Sequence, residues 1–166
     1  VVDTKMVVKV GIADLNIVRI PDTIRTSGLG SCVGAVLYDE TAKIAGMVHV
    51  MLPDSQLAKG DIAINKAKFA DTGVQELMRI LVEAGASKYR IKAKIAGGAQ
   101  MFQFSSKSEL MRIGPRNVEA VKKELKLLHI RLVAEDTGGN SGRTIEFDPE
   151  TSILQVRTVN KGTSEI

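Results

Sequence analysis

Cys32 is the only cysteine in a chain of 166 residues, and His49 is one of only two histidines. A thiol attacks as its thiolate, so an imidazole placed to take its proton makes such a pair chemically sufficient for acyl transfer. Whether the two can meet is a question of strand register. Residues 32–38 and 44–52 are apolar runs around Asp39-Glu40-Thr41-Ala42, a pattern that predicts a β-hairpin with a four-residue loop. In that register Leu37 faces Ile44, Ala35 faces Gly46 and Val33 faces Val48. The opposite face pairs Gly34 with Met47 and Cys32 with His49. Directly opposed residues have Cβ atoms ~4.5–5.5 Å apart, close enough for a thiol and an imidazole to meet. A slip of one residue would put them on different faces.

Immediately before the cysteine, Gly28-Leu29-Gly30-Ser31 permits a sharp backbone path. The amide N–H groups of Gly30 and Ser31 are candidates to hold a developing oxyanion. A third group normally orients the base, and Thr26, Asp54 and Asp136 are the polar candidates. Taken singly, a cysteine that starts an apolar strand is most often a small buried hydrophobe, and a histidine a satisfied core residue. The coincidence of the lone cysteine, a glycine-rich junction and a facing histidine points to catalysis. His129 ends a helix, where a histidine commonly serves the last carbonyls.

Other signals are less specific. Gly28-Leu29-Gly30 lacks the third glycine of a dinucleotide fingerprint and precedes a strand rather than a helix, so that reading is set aside. Gly138-Gly139-Asn140-Ser141-Gly142-Arg143 can cradle an anion, but a turn between strands explains it as well. One cysteine and two histidines do not make a zinc ligand set, so neither a metal nor another cofactor is expected.

The elements that must position these residues follow from periodicity. Strands are expected over 5–10 and 15–20, with 26–31 as a loop. Asp61 is placed to cap a helix carrying Ile64, Ala67, Ala70, Val74, Leu77, Met78, Leu81 and Val82, ended by Gly85. A strand over 91–96 precedes Gly97-Gly98. A second helix starts at Pro115, carries Val118, Val121, Leu125 and Leu128, and runs to His129. Residues 130–134 return to strand, and 144–147 with 153–159 form a hairpin around Asp148-Pro149-Glu150-Thr151. Residues 1–4 and the tail from Lys161 are expected to fray. Two helices among roughly seven or eight strands make an α+β fold with mixed, largely antiparallel sheets, in one domain spanning 1–166.

Composition narrows the function classes. Hydrophobic residues at 44% and charged residues at 25% exclude a disordered chain. The single cysteine rules out an intramolecular disulfide and suits a reducing compartment. The net charge of +4 is mild, and 4% aromatics without tryptophan offer few stacking platforms, so nucleic acid is not an expected partner. No apolar run approaches the ~18 residues of a membrane span, and the opening Val1-Val2-Asp3-Thr4-Lys5 lacks a signal peptide's order. A cytoplasmic location without direct membrane insertion is expected.

The blocks Gly28-Leu29-Gly30-Ser31-Cys32 and His49-Val50-Met51-Leu52-Pro53-Asp54-Ser55 resemble the CheD family of bacterial chemoreceptor glutamine deamidases. The segments Lys94-Ile95-Ala96-Gly97-Gly98-Ala99-Gln100-Met101-Phe102, Ile113-Gly114-Pro115-Arg116-Asn117 and Glu135-Asp136-Thr137-Gly138-Gly139 continue the resemblance in order. It implies that Cys32 is the nucleophile, His49 the general acid/base and Thr26 the third residue of the site. It also implies packed sheets in a sandwich with flanking helices, like the glutamine deamidases of bacterial toxins. The implied reaction converts glutamines of methyl-accepting chemotaxis receptors to glutamate, releasing ammonia through a cysteine thioester. Some receptor methylesterase activity and a CheC-type response-regulator phosphatase as partner are implied as well. The alternatives are a non-catalytic adaptor that binds receptor or phosphatase, and an amidase for small molecules.

Overall fold

The structure, a computed structural model, describes residues 4–58, 64–101 and 112–166. In chain order its strands are β1 (Val7–Lys9), β2 (Leu15–Arg19), β3 (Thr23–Leu29), β4 (Val33–Asp39) and β5 (Ile44–Val50). They continue with β6 (Lys92–Gly97), β7 (Arg131–Thr137), β8 (Arg143–Asp148), β9 (Ile153–Thr158) and β10 (Gly162–Glu165). Helix α1 (Ala70–Glu83) lies between β5 and β6, and α2 (Ile113–Leu127) between β6 and β7. Among the described residues no helix is long and apolar enough to cross a membrane.

The strands form two mixed sheets of five, ordered β1-β3-β8-β9-β10 and β2-β5-β4-β6-β7. Among the described strands only the β1–β3 and β6–β7 pairs are parallel; the rest are antiparallel. Two apolar layers organise the whole. One packs Ile24, Leu29, Ile145, Phe147 and Val156 of the first sheet against Val36, Tyr38, Ala45 and Met47 of the second. The other packs the opposite face of the second sheet, Val33, Ala35, Leu37, Val48 and Ile95, against Val74, Leu77, Leu81, Val121 and Leu125 of the helices. This is the expected α+β arrangement, sheet on sheet with helices on one side. The strands β4 and β5, covered on both faces, are buried at every position, which explains why they read as continuous apolar runs.

Four sequence expectations are corrected. The segment from Thr26, expected as a loop, continues β3 to Leu29, because it goes on pairing with β8, with a register shift between Thr26 and Leu29. The first helix starts at Ala70: Ile64 is not helical and Lys66–Lys68 is a 3-10 turn, while the expected cap Asp61 lies outside the described residues. That turn is drawn toward β5, since Met51 and Leu52 both donate backbone N–H groups to Lys68 O, at 2.8 and 3.1 Å. The tail from Lys161, expected to fray, forms β10 paired antiparallel to β9. The hairpin around Cys32 and His49 is real, but its register differs by two residues from the expected one.

Candidate active site

In the β4–β5 ladder Asp39 faces Ile44, Leu37 faces Gly46, Gly34 faces His49 and Val33 faces Val50. The loop is therefore 40–43, not 39–42. Asp39 stays in the strand because its buried carboxylate accepts from Arg90 Nε and Nη2, from Ser87 N, and from the loop amides of Thr41 and Ala42. The expected pairing of Cys32 directly opposite His49 is thus wrong. The displacement is even, however, so the alternation of faces survives it. Cys32 lies two residues along from Gly34 on the same face, a diagonal neighbour of His49; such neighbours are ~7–8 Å apart, within reach of longer side chains.

Both residues point into the layer between the sheets, where Cys32 is partly buried beside the apolar cluster and His49 is 0% exposed. Gly34 makes room for side chains reaching across from the first sheet. A Cβ there would lie 2.6 Å from Ile145 Cδ1 and 3.3 Å from Leu29 Cδ1, so the position opposite His49 has no space for a side chain.

Thr26, reaching across from β3, is 2% exposed, and its Oγ1 lies 2.7 Å from His49 Nδ1 and 2.7 Å from Val10 O. A hydroxyl has one proton. Donated to the Val10 carbonyl, which can only accept, it leaves Oγ1 as the acceptor for the ring. Nδ1 then carries the imidazole proton, and Nε2 presents its lone pair. Nε2 is buried and has no hydrogen-bond partner among the described residues. An acceptor nitrogen with a fixed tautomer, unspent on any protein donor, is what a base for a neighbouring thiol requires.

Of the three candidates to orient the base, Thr26 is the one that meets it. Asp54 instead caps the 3-10 turn Ser55–Leu57, accepting from Gln56 N at 2.8 Å. Asp136 pairs with Arg143, and Arg143 also donates to Gly97 O. That pairing ties the Gly138–Gly142 turn to β6 and commits the cation an anion cradle would have used. His129 follows α2 in a left-handed conformation, φ 58°, donating its N–H to Lys126 O and standing apart from the other three residues.

The loop before Cys32 is pinned through successive carbonyls. Gly30 O accepts from Ala99 N at 2.8 Å, Ser31 O from Asn117 Nδ2 at 3.0 Å and Cys32 O from Gly98 N at 2.8 Å. The Gly30 N–H is taken by Gly28 O, which leaves Ser31 as the candidate oxyanion donor of the two expected. Sequence reasoning did not single out Asn117 for the site. Its signal was a polar residue on the buried stripe of α2, with Gly114, Val121 and Leu125.

Burial sets the protonation states. It pushes the Cys32 thiol above its ordinary value, against a smaller opposing effect of the residue's own backbone N–H. It pushes His49 down to about 4. At neutral pH the pair therefore rests as thiol and neutral imidazole. Because the unfolded chain binds a proton on this histidine near pH 6.5 and the folded chain only near 4, stability falls as pH drops through that window. The loss amounts to roughly 3 kcal/mol. Urea denaturation at pH 7 and pH 4.5 should show it, and His49→Gln should remove this histidine's part of the difference; an equal pH dependence in the variant would refute the assignment.

Residues 51–158 match the family described as CheD chemotactic sensory transduction. That match begins just after His49, and Cys32 and Thr26 precede it. Longer similarity spans all three. The chain is 62% identical over 160 residues to the chemoreceptor glutamine deamidase CheD of Bacillus licheniformis, covering 96% of this chain and 95% of that protein. It is 58% identical over 161 residues to the protein of that name from Bacillus subtilis, covering 97% and 96%. A third relative of the same name, from Halalkalibacterium halodurans, is 61% identical over 160 residues, with 96% and 98% covered.

Proposed function

The chain belongs to the CheD family, and we propose that it deamidates glutamine side chains of chemoreceptors, with Cys32 as nucleophile, His49 as acid/base and Thr26 as the residue orienting His49. The observation that carries the residue roles is the Nε2 of a buried His49, without a hydrogen-bond partner among the described residues and on the same strand face as the only cysteine. The Cys32 proton moves to Nε2 as Sγ attacks the carboxamide carbon, and the Ser31 N–H is placed to receive the oxyanion. The C–N bond then breaks, with the imidazolium proton passing to the departing nitrogen, and ammonia leaves a thioester. Water attacks the thioester while His49 takes its proton; the C–S bond breaks as that proton passes to Sγ, giving glutamate, the free thiol and neutral imidazole. A receptor methyl ester would enter the same path with methanol as leaving group, which supports an accessory methylesterase activity. No step needs a metal or cofactor.

The substrate is a side chain on a folded receptor, in keeping with a nucleophile at a loop junction rather than in an enclosed pocket. A CheC-type phosphatase that covered the Cys32 loops would compete with receptor, and adding it should slow deamidation. The direct test incubates a purified receptor cytoplasmic fragment with the protein and maps glutamine-to-glutamate changes by mass, alongside ammonia release. Site-specific conversion supports the reading. Tight binding without conversion would favour the adaptor, and turnover of free small amides in preference to receptor would favour the amidase.

Thr26 has its own test. Valine keeps the shape but cannot accept from Nδ1, so the tautomer is no longer held and kcat should fall on the order of 100-fold. Serine retains the hydroxyl and should recover most of it. Equal rates for Thr26→Val and wild type would remove Thr26 from the mechanism.

A further inference from the structure

The strands that carry the nucleophile and the base part company at the site. Val33↔Val50 is the last pair of the β4–β5 ladder. Cys32 and Met51, one step further, turn their backbone groups away from this seam; at the step after, where Ser31 and Leu52 would bond across, Leu52 N donates to Lys68 O and Leu52 O accepts from Ala70 N instead. The β4–β5 ladder thus holds His49, opposite Gly34, but ends one residue short of Cys32.

Asn117 spans this gap. Its Nδ2 donates to Ser31 O, one residue before the nucleophile, at 3.0 Å, and to Met51 O, two residues after the base, at 2.9 Å. The side chain is 0% exposed. Its orientation is determined by chemistry, because a flipped amide would set Oδ1 against two carbonyl oxygens. Its Oδ1 is buried without a hydrogen-bond partner among the described residues, so this amide is held for its two donors while its acceptor goes unused. The approach of α2 that allows the reach is equally specific. A Cβ at Gly114 would lie 2.3 Å from Ala99 O and 2.7 Å from Gly98 O, so only glycine lets the first turn of the helix sit this close to the segment after β6, whose Gly98 and Ala99 amides hold the Cys32 loop.

We infer that Asn117 is a positioning residue of the reaction, a two-ended tether that sets the distance between Cys32 and His49 where the β ladder no longer does. A planar amide with two N–H groups suits the task; a carboxylate of the same shape offers only acceptors to two carbonyls. The inference rests on the proposed roles of Cys32 and His49.

The test compares Asn117→Asp, Asn117→Ala and Val121→Ala. Val121 is buried on the same helix and faces the helix-side core, so it controls for loss of stability. Both Asn117 variants, at temperatures where circular dichroism shows them folded, should lose about 100-fold in kcat on the receptor fragment with little change in KM. Alanine admits water to satisfy the two carbonyls, which protects the fold without restoring the tether. Val121→Ala should keep most of its kcat. Alkylation of Cys32 by iodoacetamide at neutral pH should slow in the Asn117 variants toward the rate in His49→Ala. Folded Asn117 variants with wild-type kcat and alkylation rate, or a Val121→Ala loss as large as theirs, would overturn the inference. If Cys32→Ala still deamidated receptor, the functional reading itself would fail, and alkylation would still report whether Asn117 couples the pair.

Discussion

Cys32→Ala and Cys32→Ser should each release ammonia from receptor at least ~10^3-fold more slowly than wild type while binding it as tightly. The two variants separate chemistry from packing. Cys32 is partly buried beside the inter-sheet cluster, so alanine removes one sulfur's contacts and carries a modest stability cost. Serine keeps nearly the same volume. If sulfur served only packing, serine would preserve activity. If it is the nucleophile, serine fails as completely as alanine, because His49, pushed down to about 4, is too weak a base to take the proton of an alcohol. Peptide mapping of receptor after incubation reads the result for each glutamine separately. A Cys32→Ser protein deamidating within about tenfold of wild type would exclude the thioester route.

The parts of this site legible in the sequence were those that depend on alternation. Cys32 and His49 fall on one face whether Cys32 stands opposite His49 or, as found, Gly34 does, because the two registers differ by two residues and the side-chain period is two. What alternation could not reveal was the end of the hairpin. Asp39 reads as a turn residue, and only Arg90, 51 positions away, together with Ser87 N, makes a buried carboxylate stable in the strand. Thr26 shows the same limit from the other side. The polar, glycine-rich segment 26–31 carries the local marks of a loop, yet Thr26 pairs with Ile145, and a partner so distant leaves no local trace. β10 is exposed at all its positions and so lacks any apolar pattern; pairing with β9 alone makes it a strand. Asn117 was hidden for a related reason, since a polar residue on an apolar helix face declares its role only once the two carbonyls it serves are in place.

The pH dependence of kcat/KM should distinguish this pair from a preformed thiolate–imidazolium. With both groups neutral at rest, the rate should stay nearly level between about pH 6 and 8 and fall on the acid side with an apparent value near 4, where His49 gains its proton. An ordinary exposed imidazole would place that limb near 6.5. Since stability also declines in this window, circular dichroism at each pH must accompany the rates. The variant His49→Ala completes the test. It should lose on the order of 10^2–10^4 in rate, and its residual activity should climb with pH, about tenfold per unit, until Cys32 ionises unaided. Burial holds that thiol above its ordinary value of 9.0, so the climb should continue past pH 9. Wild type, in which His49 removes the proton during attack, should not show this rise between pH 6 and 8. A wild-type profile climbing as steeply as the variant's would mean that Cys32 works as a free thiolate and that His49 is not its base.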